Sequence, residues 1–103
     1  MDQERADQNF TATAALEADR VVVTVTGEVD MSTAEAMFQA GTKGNGRAAT
    51  LDLRAVTFFD SAAIHALLRL VEHYGDRLSV LPSSQVRRVL EISGLSTQPW
   101  LTD

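Results

Sequence analysis

The chain contains no cysteine among its 103 residues. This absence excludes disulfide bonds, thiol nucleophiles and cysteine metal sites, and it fits a reducing compartment. The two histidines, His65 and His73, lie at a spacing that matches no recognised pair of metal ligands. We therefore expect the protein to use neither a metal ion nor another cofactor.

Long apolar segments are also absent. No apolar run approaches the roughly 18 residues that a membrane-spanning helix needs. The N-terminus is acidic and polar, without the apolar stretch of a secretory signal. We expect no direct membrane insertion, and we predict a cytoplasmic location.

Basic residues are scarce, with nine Lys and Arg against fourteen Asp and Glu and a formal net charge of −5. A protein that binds nucleic acid needs a basic surface to neutralise phosphates, so nucleic acid is a poor candidate partner. The hydrophobic fraction of 45% and charged fraction of 22% are ordinary for a folded chain. The length allows one domain, which we place at 9–103, after a flexible tail at 1–8.

Two periodicities divide the chain into strands and helices. β-branched density and alternation predict strands, whereas apolar residues at i, i+3, i+4 and i+7 predict helices. The predicted elements are strands over 10–16 and 20–26, a helix over 33–40, a strand over 47–53, a helix from Ser61 to a stop at Gly75, a strand over 78–81, and a helix that Ser83 or Ser84 caps and Gly94 ends. The order β-β-α-β-α-β-α indicates the α/β class, with an opening hairpin and a mostly parallel remainder.

Local signals predict how the first two helices begin and pack. The sequence Gly27-Glu28-Val29-Asp30 is expected to break the second strand, and Ser32 and Glu35 have the spacing of a capping box. The apolar stripe expected to bury the helix after Ser61 is Ile64, Leu67, Leu68 and Val71, widened by Ala63, Leu70 and Tyr74.

Ser61 stands where a strand ends and a helix begins, and its position has two interpretations. Asp60 or Ser61 could be an ordinary helix cap, worth about 1 kcal/mol. Alternatively, Ser61 is an exposed hydroxyl that accepts a phosphate, which the positive end of the helix would favour. Such a phosphate would change the charge of a binding surface by about −1.5 to −2 without altering the fold.

A third interpretation makes Ser61 the nucleophile of a small serine hydrolase. His65, one helical turn further on, could approach Ser61. However, a nucleophile elbow requires glycine two residues to either side, where this chain has Phe59 and Ala63. No third catalytic group is indicated either, so we expect that the protein is not an enzyme.

Three segments together resemble the STAS family of sulphate transporter and anti-sigma factor antagonist domains. They are Gly27-Glu28-Val29-Asp30, the stretch 51–61 that ends in Phe59-Asp60-Ser61, and the closing helix over 86–95. The resemblance covers about residues 10–96. It implies a single STAS-like domain, whose mixed β-sheet of about four or five strands carries its helices on one face.

The resemblance also implies a function, that of an anti-sigma factor antagonist. In that class, the serine after the aspartate is phosphorylated by an anti-sigma factor that is also a serine kinase of the histidine-kinase-like ATPase fold. The unphosphorylated antagonist binds the kinase and frees its sigma factor, and the phosphorylated form is released. Ser61 matches the phosphate acceptor, Asp60 its acidic neighbour, and Glu28 and Asp30 the preceding loop.

From this resemblance we predict a docking face made of the loops at 28–33 and 58–65. Its expected partner-binding residues are Glu28, Asp30, Ser32, Thr33, Asp60, Ser61, Ala62 and His65. Repulsion between a phosphate on Ser61 and the neighbouring carboxylates would then weaken binding.

Two departures from the family pattern slightly favour a different partner, whereas Ser61 itself favours the anti-sigma factor kinase. Ala62 and Ala63 replace the second hydroxyl residue and the glycine that many members have, and the sequence ends at Asp103, where many antagonists continue with a strand and a helix. Short STAS proteins also serve as subunits of lipid-transporting ABC complexes, where they bind the ATPase without phosphorylation. This is the alternative function.

Overall fold

Four strands and three α-helices make up the described part of the chain. The computed structural model describes residues 9–44 and 47–102, so the predicted tail at 1–8 lies outside the described residues. The elements are β1 (Phe10–Glu17), β2 (Arg20–Val29), α1 (Ala34–Gly41), β3 (Ala48–Phe59), α2 (Ser61–Tyr74), β4 (Leu78–Pro82) and α3 (Ser84–Ile92). In the sheet order β1-β2-β3-β4, β1 runs antiparallel to β2, and β2, β3 and β4 are parallel. The predicted element order and mixed sheet are confirmed.

The core lies between one face of the sheet and the helices. Along β2, Val21, Val23 and Val25 are buried, whereas Thr24 between them is exposed, which is the period-two pattern of a strand with one covered face. The helices fill that face with large apolar side chains, chiefly Met37, Leu67, Leu70 and Leu90. None of the described helices is long and apolar enough to cross a membrane.

The buried stripe of α2 is rotated from the predicted one. Leu68, placed in the core by its spacing, is 39% exposed, whereas Ala66, which the prediction omitted, is buried at 3%. The small side chains of Ala63 and Ala66 are both in the buried core, and α1 packs closely against α2 where Gly41 lies beside Leu70. The prediction for Leu68 was wrong because spacing alone does not reveal how closely two helices approach.

Gly27 does not break β2 as predicted. The strand continues to Val29, and the pairing with β3 shifts register between Gly27 and Glu28. Gly27 has φ +87°, a conformation that glycine adopts without strain, and a Cβ there would lie 1.8 Å from the Asn9 carbonyl oxygen. The glycine therefore produces a bulge and lets β1 approach, while the strand itself continues.

The capping box predicted for α1 is not formed. Thr33 occupies the N-cap without a side-chain cap bond, and the Ser32 hydroxyl donates to the Asp30 carboxylate at 2.7 Å. Glu35 accepts from Gln39 and Arg69 on the helix surface instead of reaching back. The prediction failed because a nearer acceptor, Asp30, competes for the hydroxyl.

The segment after α3 returns to the β4 edge of the sheet. Leu101 forms a single parallel bridge with Val80, whose backbone also bonds Trp100 and Thr102 at 2.8 and 2.9 Å. Trp100 is 6% exposed and closes this end of the core. This single bridge extends the sheet past β4 by one residue pair.

The role of Gly27 is tested by comparing Gly27→Ala with Gly75→Ala. Gly75 also has positive φ, +63°, but a Cβ there meets nothing within 4 Å. Gly75→Ala should lower the free energy of unfolding by about 1–3 kcal/mol through backbone strain alone. Gly27→Ala should cost at least about 2 kcal/mol more, because the start of β1 must move and the bond from the Glu28 N–H to Asn9 is lost. Equal losses in chemical denaturation would contradict this account.

Candidate functional site

The two predicted loops meet at one end of the sheet, because β2 and β3 are parallel neighbours. Val29 pairs with Phe59, the last residue of β3. The next N–H group, that of Asp60, donates to the Val29 carbonyl at 3.3 Å. Chain segments that leave adjacent parallel strands at their carboxyl ends form a shared crevice, the usual place for a binding site in such sheets.

Asp60, and not Ser61, caps helix α2. Its carboxylate accepts from the Ala63 N–H at 3.0 Å, and its backbone is extended. Ser61 is thereby the first residue of the helix, with an exposed side chain whose hydroxyl bonds none of the described residues. The structure therefore decides between the two capping alternatives and leaves the Ser61 hydroxyl available.

The start of α2 also offers unused hydrogen-bond donors. The first N–H groups of a helix have no acceptor within the helix. Asp60 uses that of Ala63, so those of Ser61 and Ala62 remain beside the Ser61 side chain. Together with the helix dipole, they make the surroundings of Ser61 favourable for an added negative group.

Thr33 fixes the loop between β2 and α1 from beneath. Its hydroxyl accepts from the Asp30 N–H and donates to the Glu28 carbonyl, both at 2.9 Å. Thr33 is only 8% exposed. Thr33, which we predicted to contact a partner, is therefore a support under the loop, while Glu28 and Ser32 are exposed.

Asp30 is the carboxylate of this loop that accepts side-chain and backbone hydrogen bonds. The Ser32 hydroxyl and the Ser32 N–H both donate to it, at 2.7 and 2.9 Å. These hydrogen bonds, the one from the hydroxyl first, hold the pKa of Asp30 below its ordinary value. Asp30 is thus a fixed negative charge at neutral pH, beside the crevice.

Two apolar residues that sequence reasoning missed lie between the carboxylates. Met31 is 84% exposed and Phe58 is 49% exposed, and both line a shallow depression with Asp30, Ser32 and Asp60. Phe58 points outward because strand side chains alternate and Phe59 takes the core position at 3% exposure. The available signal was Met31, an apolar residue in a polar turn where no core packing requires one.

The remaining predicted site residues lie along the first turns of α2. Ala62 is partly buried and His65 is exposed. Ser61 and His65 share no hydrogen bond, so the described geometry shows no base activating the serine. Over residues 9–44 and 47–102, no group of three or more His, Asp or Glu side chains is arranged to hold a metal ion.

Comparison with known proteins places these features in a family. Residues 12–103 match a family model described as "Mlab, STAS domain". Among solved structures, an anti-sigma factor antagonist from Mycobacterium paratuberculosis is 28% identical with a TM-score of 0.78, over 89% of this chain and 84% of that one. No curated protein is significantly similar in sequence.

Both forms of a second antagonist, SpoIIAA, are also similar. The unphosphorylated form is 27% identical with a TM-score of 0.65, over 91% of this chain and 86% of that one. The phosphorylated form, a Bacillus cell fate determinant, has the same TM-score at 22% identity, over 91% of this chain and 89% of that one. This last likeness concerns the fold alone.

The distinct roles of Ser32 and Thr33 give a testable pair of variants. Ser32→Ala should raise the pKa of Asp30 toward its ordinary value, because the hydroxyl is the main donor to that carboxylate. Thr33→Val keeps the side-chain shape but leaves the Glu28 carbonyl and the Asp30 N–H without their partner, so the free energy of unfolding should fall by about 1–3 kcal/mol. NMR titration of Asp30 and chemical denaturation measure the two effects. An Asp30 titration unchanged by Ser32→Ala would refute the assigned hydrogen bond.

Proposed function

The chain belongs to the STAS family, and from this premise we propose that it is an anti-sigma factor antagonist released from its partner by phosphorylation of Ser61. The partner is an anti-sigma factor that is also a serine kinase of the histidine-kinase-like ATPase fold, and the complex forms in the cytoplasm. The carrying observation is the exposed hydroxyl of Ser61, which bonds none of the described residues and directly follows Asp60, a residue that lines the depression of apolar and acidic side chains. The likeness to two antagonists at 27–28% identity supports the role.

The proposed modification is compatible with the geometry of Ser61. The serine oxygen would attack the γ-phosphorus of ATP and lose its proton, and ADP would leave, so the catalysis belongs to the kinase and this chain is its substrate. No hydrogen bond within the described structure has to break, because Asp60 already provides the cap. The fold should therefore survive the change.

Release follows from charge and hydration at the docking face. A phosphoserine adds about −1.5 to −2 charges. It would stand beside Asp60 and near the fixed carboxylate of Asp30, at the rim of the depression that Met31 and Phe58 line. Docking would then require stripping water from a dianion next to an apolar contact, which is strongly unfavourable. A loss of about 3 kcal/mol would weaken the complex more than about a hundredfold.

In this proposal the other predicted residues contribute by position. Glu28, Asp30, Ser32 and Asp60 form a polar rim, and Thr33 supports it from below. Ala62 and His65 extend the contact along α2. Partner surfaces commonly combine an apolar centre with a polar rim, and the centre contributes most of the binding energy.

The phosphorylation step is tested with Ser61→Ala and a matched control, Ser84→Ala. Ser84 is also exposed and is also the first residue of a helix, after the cap Ser83. After incubation with ATP and native-host lysate, wild type and Ser84→Ala should each gain one phosphate, and Ser61→Ala none, as measured by intact mass. A phosphate that persists in Ser61→Ala would overturn the assignment.

The same lysate discriminates between the partners. The proposed function predicts that unphosphorylated protein retains a histidine-kinase-like ATPase, identified by mass spectrometry, and loses it after phosphorylation. Retention of a transporter ATPase, unaffected by phosphorylation, would support the alternative of a lipid-transporting ABC complex instead.

The apolar centre of the docking face is tested by Met31→Ser and Phe58→Ser. Each substitution removes an exposed apolar contact that binding would bury, worth about 1.5–3 kcal/mol, so affinity for the kinase should fall about 10- to 100-fold. Ile92→Ser is the control, because Ile92 is 81% exposed at the end of α3, away from the crevice. Equal affinities for all three variants, measured by calorimetry, would contradict the proposed contact.

A further inference from the structure

Strand β1 forms one edge of the described sheet, and no described strand pairs with its outer side. Within the described part of the chain, β1 pairs with β2 and with no other strand. Residues 10–16 have the sequence Phe-Thr-Ala-Thr-Ala-Ala-Leu, without a charge, a proline or a glycine. Natural edge strands are normally protected from pairing by such residues, so an unprotected edge is a template for another strand.

The hairpin geometry shows which backbone groups of β1 face outward. Ala18 and Asp19 make the two-residue turn, so the flanking pair Glu17 and Arg20 exchange hydrogen bonds. Every second residue from Glu17 backwards then bonds to β2, and the bond from Glu28 to the Asn9 carbonyl fits this alternation at the far end. The N–H and C=O groups of the even-numbered residues, from Phe10 to Leu16, consequently point to the open side.

The core-facing side of β1 is covered at one end only. Phe10 and Ala12 are partly buried and pack against the core, and α1 contacts this strand. Ala14 is exposed, and Leu16, opposite Val21 on the same face, is 62% exposed. One half of the strand thus has an apolar cover and the other half lacks one.

We infer that β1 pairs with β1 of a second copy of this chain, antiparallel, with Thr13 opposite Thr13 on the two-fold axis. In this register, Phe10 of each copy lies opposite Leu16 of the other, and Ala12 lies opposite Ala14. The hydrogen-bonded pairs between the two β1 strands then contain only even-numbered residues, whose N–H and C=O groups point to the open side. The two sheets become one continuous sheet of eight strands, with all helices on the same side.

Three features favour a second copy as the occupant. The covered half of each strand comes to lie beside the uncovered half of the other, so Leu16 gains Phe10 of the second copy as an apolar neighbour in addition to Val21. The side chains that pair across the interface are small or apolar, and Thr13 pairs with Thr13 of the second copy. The charged residue of β1, Glu17, falls at opposite ends of the pairing, so the two carboxylates do not face each other.

Single cysteines test the register directly, because the native chain has none. Thr13→Cys places two thiols opposite each other at a non-hydrogen-bonded pair, where Cβ atoms are close enough for a disulfide. Ala15→Cys is the matched control on the same strand face, and it leaves its two thiols about four residues apart along the strand, roughly 13 Å. Mild oxidation should link most of the first variant into a covalent dimer and little of the second. Equal linking of both variants, or linking of Ala15→Cys alone, would overturn the register.

Sedimentation measures the association without a cross-link. Wild type should show a concentration-dependent monomer–dimer equilibrium, and Leu16→Lys should weaken it at least about tenfold by removing an apolar contact and adding edge charge. Ile92→Lys makes the same chemical change at a side chain that is 81% exposed near the opposite edge, and it should dimerise like wild type. A wild type that stays monomeric at high concentration, or a dimer that Leu16→Lys does not weaken, would refute the pairing. Ser61→Ala should leave the dimer unchanged, so this result is independent of the proposed switch.

Discussion

The hydrogen bond from the Ala63 N–H to the Asp60 carboxylate determines what Ser61 is free to do. Where an aspartate and a serine stand at the start of a helix, either one can be the cap. The side chain that makes the cap bond is then no longer free to react. Asp60 is the cap because its backbone is extended where β3 ends and its N–H donates to the Val29 carbonyl. The Ser61 hydroxyl therefore takes no part in the cap, which is compatible with the proposed modification.

The loop opposite Ser61 is equally fixed, although it contains no regular secondary structure. Thr33 joins the backbone of Glu28 to that of Asp30, and Asp30 in turn binds Ser32. Holding the loop in one conformation reduces the entropy that a partner must overcome on binding. Met31 is exposed on this turn, and with Phe58 and the carboxylates of Asp30 and Asp60 it lines the depression next to the start of α2. In the proposed function, this arrangement lets a charge added at Ser61 weaken the binding of a docked protein without a change in the core.

The elements that sequence predicted well are those whose signals are local. The β-branched run from Arg20 to Thr26, the helix that follows Ser61 and the stop at Gly75 depend on periodicity and on one glycine, and all three are present. The likeness of three short segments to STAS domains was enough to predict a mixed sheet of about four or five strands with its helices on one face. This architecture is a property of the whole family, so a few family-specific segments are enough to predict it.

The features that sequence missed depend on residues far apart in the chain. Whether Gly27 ends a strand or makes a bulge depends on β1 and β3, which meet it on either side. The choice of Asp60 over Ser61 as the cap, and the exposure of Phe58 beside a buried Phe59, depend on where β3 leaves the sheet. These features are set by tertiary contacts, so the residues next to each position in the sequence do not reveal them.

The account rests on a change of charge at Ser61 that alters binding and leaves the fold intact. The most direct test prepares the protein with phosphate on Ser61 and measures two quantities in the same sample: affinity for the anti-sigma factor by calorimetry, and the free energy of unfolding. The account predicts an affinity at least about a hundredfold lower with an unfolding free energy within about 0.5 kcal/mol of the unmodified protein. Equal affinity for the two forms, or a loss of affinity that accompanies unfolding, would contradict it.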